Sequence, residues 1–226
     1  MLYFLVYNDN THVSALQKLL KSVETYGKQF QILVFDKNNI DPEFKNKYSN
    51  ILNLRRGGGY WLWKPYIINE ILKKINNNDI IFYLDANYYF VEEFTNIYEN
   101  YMKNNELLVW GNKPNECEWY MKNWCKMDVI RKYNMYDEVF NKNKKDCWAG
   151  AIIVKKTDNT IKYIQEWLDR CCIYEDITDS PSKLPNHSEF RDHRHDQSLL
   201  STILYKYNIE TQIFEKRYLQ NARGQW

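Results

Sequence analysis

At 226 residues the chain is long enough for one large domain with a sizeable buried core. Its formal net charge is +2, with acidic and basic residues interspersed and no basic arm or stripe, so it lacks the electrostatic footprint of a nucleic-acid binder. Aromatics make up 16%, with 8 Trp and 19 Tyr, many in polar surroundings that suit stacking on sugars or bases. The richness in Asn, Lys, Ile and Tyr is also what an AT-rich genome would produce, so part of that signal is discounted.

The five cysteines, Cys117, Cys125, Cys147, Cys171 and Cys172, are odd in number, irregular in spacing and without a CxxC. That pattern fits reduced thiols and a cytoplasmic setting better than a disulfide framework or a zinc site. The N-terminus enters directly as a strand, with no basic segment followed by an apolar one, so no signal peptide is expected. No apolar run approaches the ~18 residues of a membrane span. The chain ends at Gly224-Gln225-Trp226 without a stop signal, which leaves open that it is one domain of a longer protein.

Leu2 to Tyr7 reads as a buried strand ending at Asn8-Asp9-Asn10. Val13 to Tyr26 carries apolar residues at 13, 16, 19, 20 and 23, a helical spacing, with Thr11 as N-cap and Gly27 as stop. Phe30 to Phe35 is a second strand ending at Asp36, completing a βαβ unit. Asp41-Pro42-Glu43 starts a short helix, and Ile51 to Leu54 reads as a short strand. A loop with three consecutive glycines follows, Arg55 to Lys64, and Pro65 opens a helix with Ile67, Ile68, Ile71, Leu72 and Ile75 on one side.

Ile80 to Leu84 is an apolar run bounded by polar residues, the mark of a strand buried on both faces. Val91 to Met102 reads as an amphipathic helix, Leu107 to Trp110 as a strand, and 116–143 as irregular and aromatic with helical pieces. Trp148 to Val154 is a strand, Thr157 to Cys171 a helix, and Tyr174 to Asp192 a long loop, of a length uncommon unless functional. Asp196 to Tyr207 is predicted helical and Ile209 to Phe214 a short strand. The alternation gives an α/β fold with a mixed, mostly parallel sheet flanked by helices. One domain is expected over 1–226.

In open α/β sheets, ligands sit at the carboxyl ends of the strands. Asp85, directly after the central strand, is therefore a candidate for chemistry, although a lone Asp there also caps the next turn. Asp85 and Asn87 supply oxygens that suit a hard divalent cation shared with phosphates. Asn8 and Asp36 end the first two strands and could accept from a ribose or a base N–H, or serve as turn residues. Arg55, Arg56 and Lys64 bracket the glycines, and cations beside such a turn suit a diphosphate. Tyr60, Trp61 and Trp63 could form a stacking wall or core. His193, His195 and Asp196, with Gln197, stand at a loop-to-helix start, where they could deprotonate an acceptor hydroxyl, grip a sugar or form a charged cap. No P-loop occurs, and consecutive glycines do not make a Rossmann fingerprint.

Arg56-Gly-Gly-Gly-Tyr-Trp-Leu-Trp-Lys-Pro65, Phe82-Tyr-Leu-Asp-Ala-Asn87, Trp148-Ala-Gly-Ala151 and His193-Arg-His-Asp-Gln-Ser198 occur in that order. Together they resemble GT-A-type glycosyltransferases of bacteria and large DNA viruses, over nearly the whole chain. The resemblance implies a GT-A-like fold, a UDP- or GDP-type nucleotide-diphosphate sugar donor, a glycan or other hydroxyl acceptor, and an Mn²⁺ or Mg²⁺ cofactor. It implies a nucleotide-binding part at about 1–110 and an acceptor and catalytic part at about 111–226. It implies donor contacts at Tyr7, Asn8, Asp36, Arg56, Tyr60, Trp61, Lys64, Asp85, Ala86, Ala149 and Gly150. Metal contacts would fall to Asp85, Asn87 and His195, and acceptor contacts to Trp63, Trp148 and His193. Asp196 would be the acceptor base or a donor-sugar contact. Asn87 departs from the second acid or glycine of related motifs. A non-catalytic nucleotide-sugar or glycan-binding module on the same scaffold is the competing expectation.

Overall fold

The strands Leu2–Tyr7 and Ile80–Leu84, whose ends carry the candidate site, hold no charged residue, and both faces of their sheet are covered. A computed structural model describes residues 1–9, 12–94, 102–111, 119–213 and 219–222. Among them, β1 (Leu2–Tyr7), β2 (Phe30–Phe35), β3 (Ile80–Leu84), β5 (Leu107–Gly111), β6 (Cys147–Lys155) and β7 (Gln212–Ile213) form one sheet in the order β2-β1-β3-β6-β5-β7. Only β6 opposes its neighbours; β1 pairs in parallel with β2 and β3, and β5 with β7. A second, two-stranded sheet joins β4 (Tyr88–Phe90) to β8 (Leu219–Asn221).

Side chains alternate between the two faces. Leu5, Ile81, Tyr83, Ile152 and Val154 enter one core. The helices packed there are α3 (Trp63–Lys74), α4 (Asp158–Cys171) and α5 (His195–Lys206). Phe4, Val6, Phe82, Leu84 and Ile153 enter the other core, under α1 (Val13–Tyr26). There Phe90 stacks on Phe94 with ring centroids 3.5 Å apart. The short α2 (Pro42–Lys47) is capped by Asp41, whose carboxylate accepts from the backbone N–H groups of Glu43 and Phe44.

Helix α1 and strands β1 to β3 match the bounds read from the sequence. Gly27 ends α1 and donates its N–H to the Val23 carbonyl at 2.7 Å. Thr11, expected as its N-cap, lies outside the described residues; His12 stands at the cap position without a side-chain bond. Residues 51–54 are not a strand: Ser49–Leu52 is a helical turn that buries Ile51. The four residues Ile51-Leu52-Asn53-Leu54 are too few to show a period that would tell the two apart. Helix α3 starts two residues before Pro65, which the first turn tolerates because its N–H groups lack intrahelical partners anyway. The helix expected from Val91 falls partly on 95–101, outside the described residues; 91–94 is not helical. Within 174–192 a helical turn occupies Tyr174–Ile177.

Strand β6 comes from the second half of the chain, yet it lies between β3 and β5 of the first. The two expected parts therefore share one sheet. None of the described helices is long and apolar enough to cross a membrane.

Candidate functional site

Two features of the sheet build the site. Its parallel strands β1 and β3 end side by side, and the incoming end of antiparallel β6 lies against β3 there, with the Asp85 N–H donating to the Gly150 carbonyl at 2.8 Å. Gly150 has to be small. A Cβ at this position would stand 2.5 Å from the Trp148 ring, which lies edge-on to Tyr88.

Over these ends hangs the glycine turn, and its backbone is unusual. Gly57, Gly58, Gly59, Tyr60 and Trp61 all have positive φ, +57°, +59°, +96°, +53° and +60°. This is a short left-handed helical turn. Each non-glycine residue in that region costs roughly 1–2 kcal/mol, so three glycines lower the strain that five ordinary residues would carry. Tyr60 and Trp61 are held in it by packing. The Tyr60 hydroxyl donates to Asp179 at 2.8 Å, and the Trp61 ring stacks on His195 with centroids 5.5 Å apart.

Directly after the turn, α3 carries Lys64 into the interior. Lys64 is 3% exposed, and its ammonium touches three oxygens: Asp196 at 3.0 Å, Ala149 carbonyl at 3.1 Å and Asp85 at 3.4 Å. Burial alone would depress this lysine; Asp196 and Asp85 outweigh it and raise its pKa. Asp196, equally buried, is pushed up to about 6 by burial against the opposing pull of Lys64. The Tyr83 hydroxyl donates to Asp85 at 2.5 Å, and burial followed by the Asp85 charge holds that phenol far above its usual range.

A cavity of about 400 Å³ opens beside this cluster. Asp85, Ala86 and Asn87 form its floor, and Tyr7, Trp61 and Trp63 line it. Tyr7 and Trp63 stack on each other at 3.8 Å and 13°, and Trp63 donates its indole N–H to the Gly57 carbonyl. Asn8, Asp9, His12, Arg55, Gly57 and Gly58 complete the rim. Of these Asp9 and His12 were not among the expected contacts, whereas Arg55 was one of the cations read as suited to a diphosphate.

The structure thus brings Tyr7, Asn8, Trp61, Lys64, Asp85, Ala86, Asn87, Ala149, Gly150 and Asp196 to one end of the sheet. Other expected site residues have different work. Asp36 accepts from the Asn38 N–H at 2.7 Å and caps a turn, and it is not on the cavity. Arg56 and Tyr60 also lie off it: the Arg56 guanidinium bridges Asp179 at 2.8 Å and Asp192 at 2.5 Å. Trp63, expected at the acceptor, belongs to the wall shared with Tyr7.

His193 is 2% exposed, and both ring nitrogens are engaged, Nε2 with the Asp176 carbonyl and Nδ1 with the Lys126 N–H. It has no hydrogen-bonding atom left for an acceptor. His195 Nδ1 bonds the Ile177 carbonyl at 2.7 Å, and Nε2 faces Asp179 at 3.7 Å, not the Asp85 floor. Burial keeps it neutral, with its pKa down at about 4. Both histidines fasten the 176–177 backbone, a role their sequence spacing does not reveal. Below them Asp146, fully buried, accepts from Ser198, Ser201 and Gln197 and fixes the first turn of α5.

A divalent cation fits the floor but would not find a complete cage. Asp85 and Asn87 line one cavity, and around Lys64 two carboxylates face one ammonium, leaving unbalanced negative charge. No group of three or more His, Cys, Asp or Glu among the described residues is arranged for a metal, so ligand oxygens and water would have to complete its shell.

No protein-family model and no curated protein sequence matches the chain. Solved structures do. The apo bifunctional glycosyltransferase WbbM superposes with a TM-score of 0.56 at 10% identity, over 95% of this chain and 39% of that one. The glycosyltransferase GlyE of Streptococcus pneumoniae TIGR4 gives 0.50 at 11% identity, over 95% and 45%. The galactosyltransferase LgtC, solved with donor and acceptor sugar analogues, gives 0.48 at 17% identity, over 90% and 70%. The chain spans less than half of WbbM and of GlyE. With its mixed, mostly parallel sheet between two helical layers, it has the GT-A-type fold of glycosyltransferases.

Proposed function

We propose that the protein is a glycosyltransferase that moves a sugar from a nucleotide-diphosphate donor, of UDP or GDP type, to a hydroxyl of a glycan or similar acceptor. The observation that carries this reading is the buried Lys64–Asp85–Asp196 cluster beside an aromatic-walled cavity at the carboxyl ends of β1 and β3. Such a site combines a stacking wall for a base or sugar with charge control where a phosphate would leave.

Breaking the bond from C1 to the phosphate oxygen develops cationic character on the sugar and negative charge on the diphosphate. Lys64 is held within reach of the floor by three oxygens, and its ammonium offsets that negative charge. Asp85 and Asn87 would hold Mn²⁺ or Mg²⁺, which when bound supplies Lewis-acid stabilisation of the departing diphosphate. Tyr83 orients Asp85 by its short hydrogen bond. Tyr7, Trp61 and Trp63 exclude water and stack on the nucleoside. Asp196 fixes Lys64, and with its pKa near 6 its carboxylate is ionised at neutral pH, suited to receive the acceptor proton or to steady the donor sugar.

The test is a screen of nucleotide-sugar donors for hydrolysis and transfer, with Mn²⁺ and Mg²⁺ varied. Turnover with at least one donor is expected. Asn87 in place of a second carboxylate favours one other reading, a nucleotide-sugar or glycan-binding module; nucleotide binding with no turnover of any donor would establish that instead.

A further inference from the structure

We propose that Arg55, and not the adjacent Arg56, is the cation that grips the donor's diphosphate, while Arg56 is a positioning residue that ties the 179–192 segment to the glycine turn. This rests on the glycosyltransferase reading above.

Arg55 and Arg56 differ in every respect that matters to an anion. Arg55 lines the cavity together with Asp85, Asn87, Gly57 and Gly58; Arg56 does not. Both terminal nitrogens of Arg56 are engaged, one by Asp179 and one by Asp192, so a phosphate would have to compete with two carboxylates. Arg55 forms no ion pair or side-chain hydrogen bond with any described residue, and its side chain is exposed and free to swing.

Arg56 has extended backbone, at φ −61° and ψ 122°, and is the last such residue before the glycine turn. The left-handed turn begins at the next residue and places Gly57 and Gly58 in the cavity wall. Without side chains there, an anion can come close to the backbone beside Arg55.

Charge calls for such a group. Asp9 and Asp85 line the cavity, and Lys64 is already shared between Asp85 and Asp196. A diphosphate entering these walls gains from a further cation beside Lys64 and any metal held by Asp85 and Asn87, and a guanidinium presents two parallel N–H groups that match phosphate oxygens. His12 also lies on the rim, but an imidazole cannot present the paired parallel N–H groups of a guanidinium.

The contact between the two loops explains Arg56. It binds Asp179 and Asp192, Tyr60 adds a bond to Asp179, and His195 faces the same carboxylate. Both carboxyls are held below their usual range despite partial burial, by the bonds from Tyr60 and Arg56 to Asp179 and from Arg56 to Asp192.

Titration calorimetry with UDP, GDP and inorganic pyrophosphate on the wild type, Arg55→Ala, Arg55→Lys and Arg56→Ala tests the division. Arg55→Ala is expected to weaken the diphosphate by about ten-fold or more, the scale of one charge-assisted contact, with Arg55→Lys recovering part of it. Arg56→Ala is expected to leave affinity within about three-fold, while amide exchange across 179–192 accelerates. Unchanged affinity in Arg55→Ala, or loss of binding in Arg56→Ala with unaltered exchange, overturns the assignment and leaves the glycosyltransferase reading standing. A wild type that binds none of the three probes overturns both.

Discussion

The ammonium of Lys64 stands 3.0 Å from the carboxylate of Asp196, and the two groups are 3% and 4% exposed. One comes from the start of α3 and the other from the start of α5, so the pair joins two helices under the same face of the sheet. Removing one partner of such a buried pair leaves the other charge uncompensated, which costs more than the pair itself contributes.

Lys64→Met should therefore destabilise the fold by about 3–5 kcal/mol at pH 8, read by urea denaturation. The loss should shrink toward pH 5, where the carboxyl left behind takes up a proton. An equal loss at both pH values would show that Asp196 has another partner.

Asp196 also makes a signed contribution to pH dependence. Its folded-state pKa, about 6, is above its unfolded value of 3.8, so its stabilising effect is complete below about pH 4 and disappears as pH rises through 6. The span corresponds to about 3 kcal/mol at one pKa unit per 1.36 kcal/mol. In a comparison of ΔG against pH, Asp196→Asn should remove this fall from the difference between variant and wild type. The same variant should lower transfer by about 100-fold, within the range of acid–base catalysis, while nucleoside diphosphate affinity changes by less than about three-fold.

At the cavity floor, Asp85→Ala should weaken UDP or GDP binding by about ten-fold or more in Mn²⁺ and by much less in EDTA. Calorimetry in the two buffers measures this. Identical losses with and without metal would assign Asp85 to fixing Lys64 alone.

The left-handed turn separates strain from collision. At Gly58 an added Cβ meets nothing closer than Asp9 at 3.5 Å, so Gly58→Ala should cost only the conformational penalty, about 1–2 kcal/mol. At Gly59 the Cβ would stand 2.7 Å from the Leu52 Cα, a backbone atom that cannot swing away. Gly59→Ala should cost clearly more, and thermal denaturation of the two variants ranks them. The reverse order would refute the turn geometry.

His193 offers a check on role. Its two ring nitrogens serve Asp176 and Lys126, so His193→Ala should lower stability by about 2–4 kcal/mol, as loss of two buried hydrogen bonds and some packing does. The folded fraction should keep its acceptor KM. A raised KM at unchanged stability would return His193 to the acceptor site.

The sequence alone determined the alternation of strands and helices, because burial on both faces leaves runs such as Ile80 to Leu84 unbroken by polar residues. It also determined where Asp85 stands, since a carboxylate after such a run has to emerge at a strand end. Residue types marked Lys64 and Asp196 as candidates, but their meeting depends on α3 and α5 packing on one sheet face, 132 residues apart in the chain. Only the tertiary structure divided Arg55 from Arg56. A two-residue string carries no information about which carboxylates a folded loop will bring to it, and Asp179 and Asp192 arrive from the far end of the chain. The same holds for His193 and His195: their ring nitrogens are claimed by backbone carbonyls and an N–H, partners that side-chain spacing cannot encode.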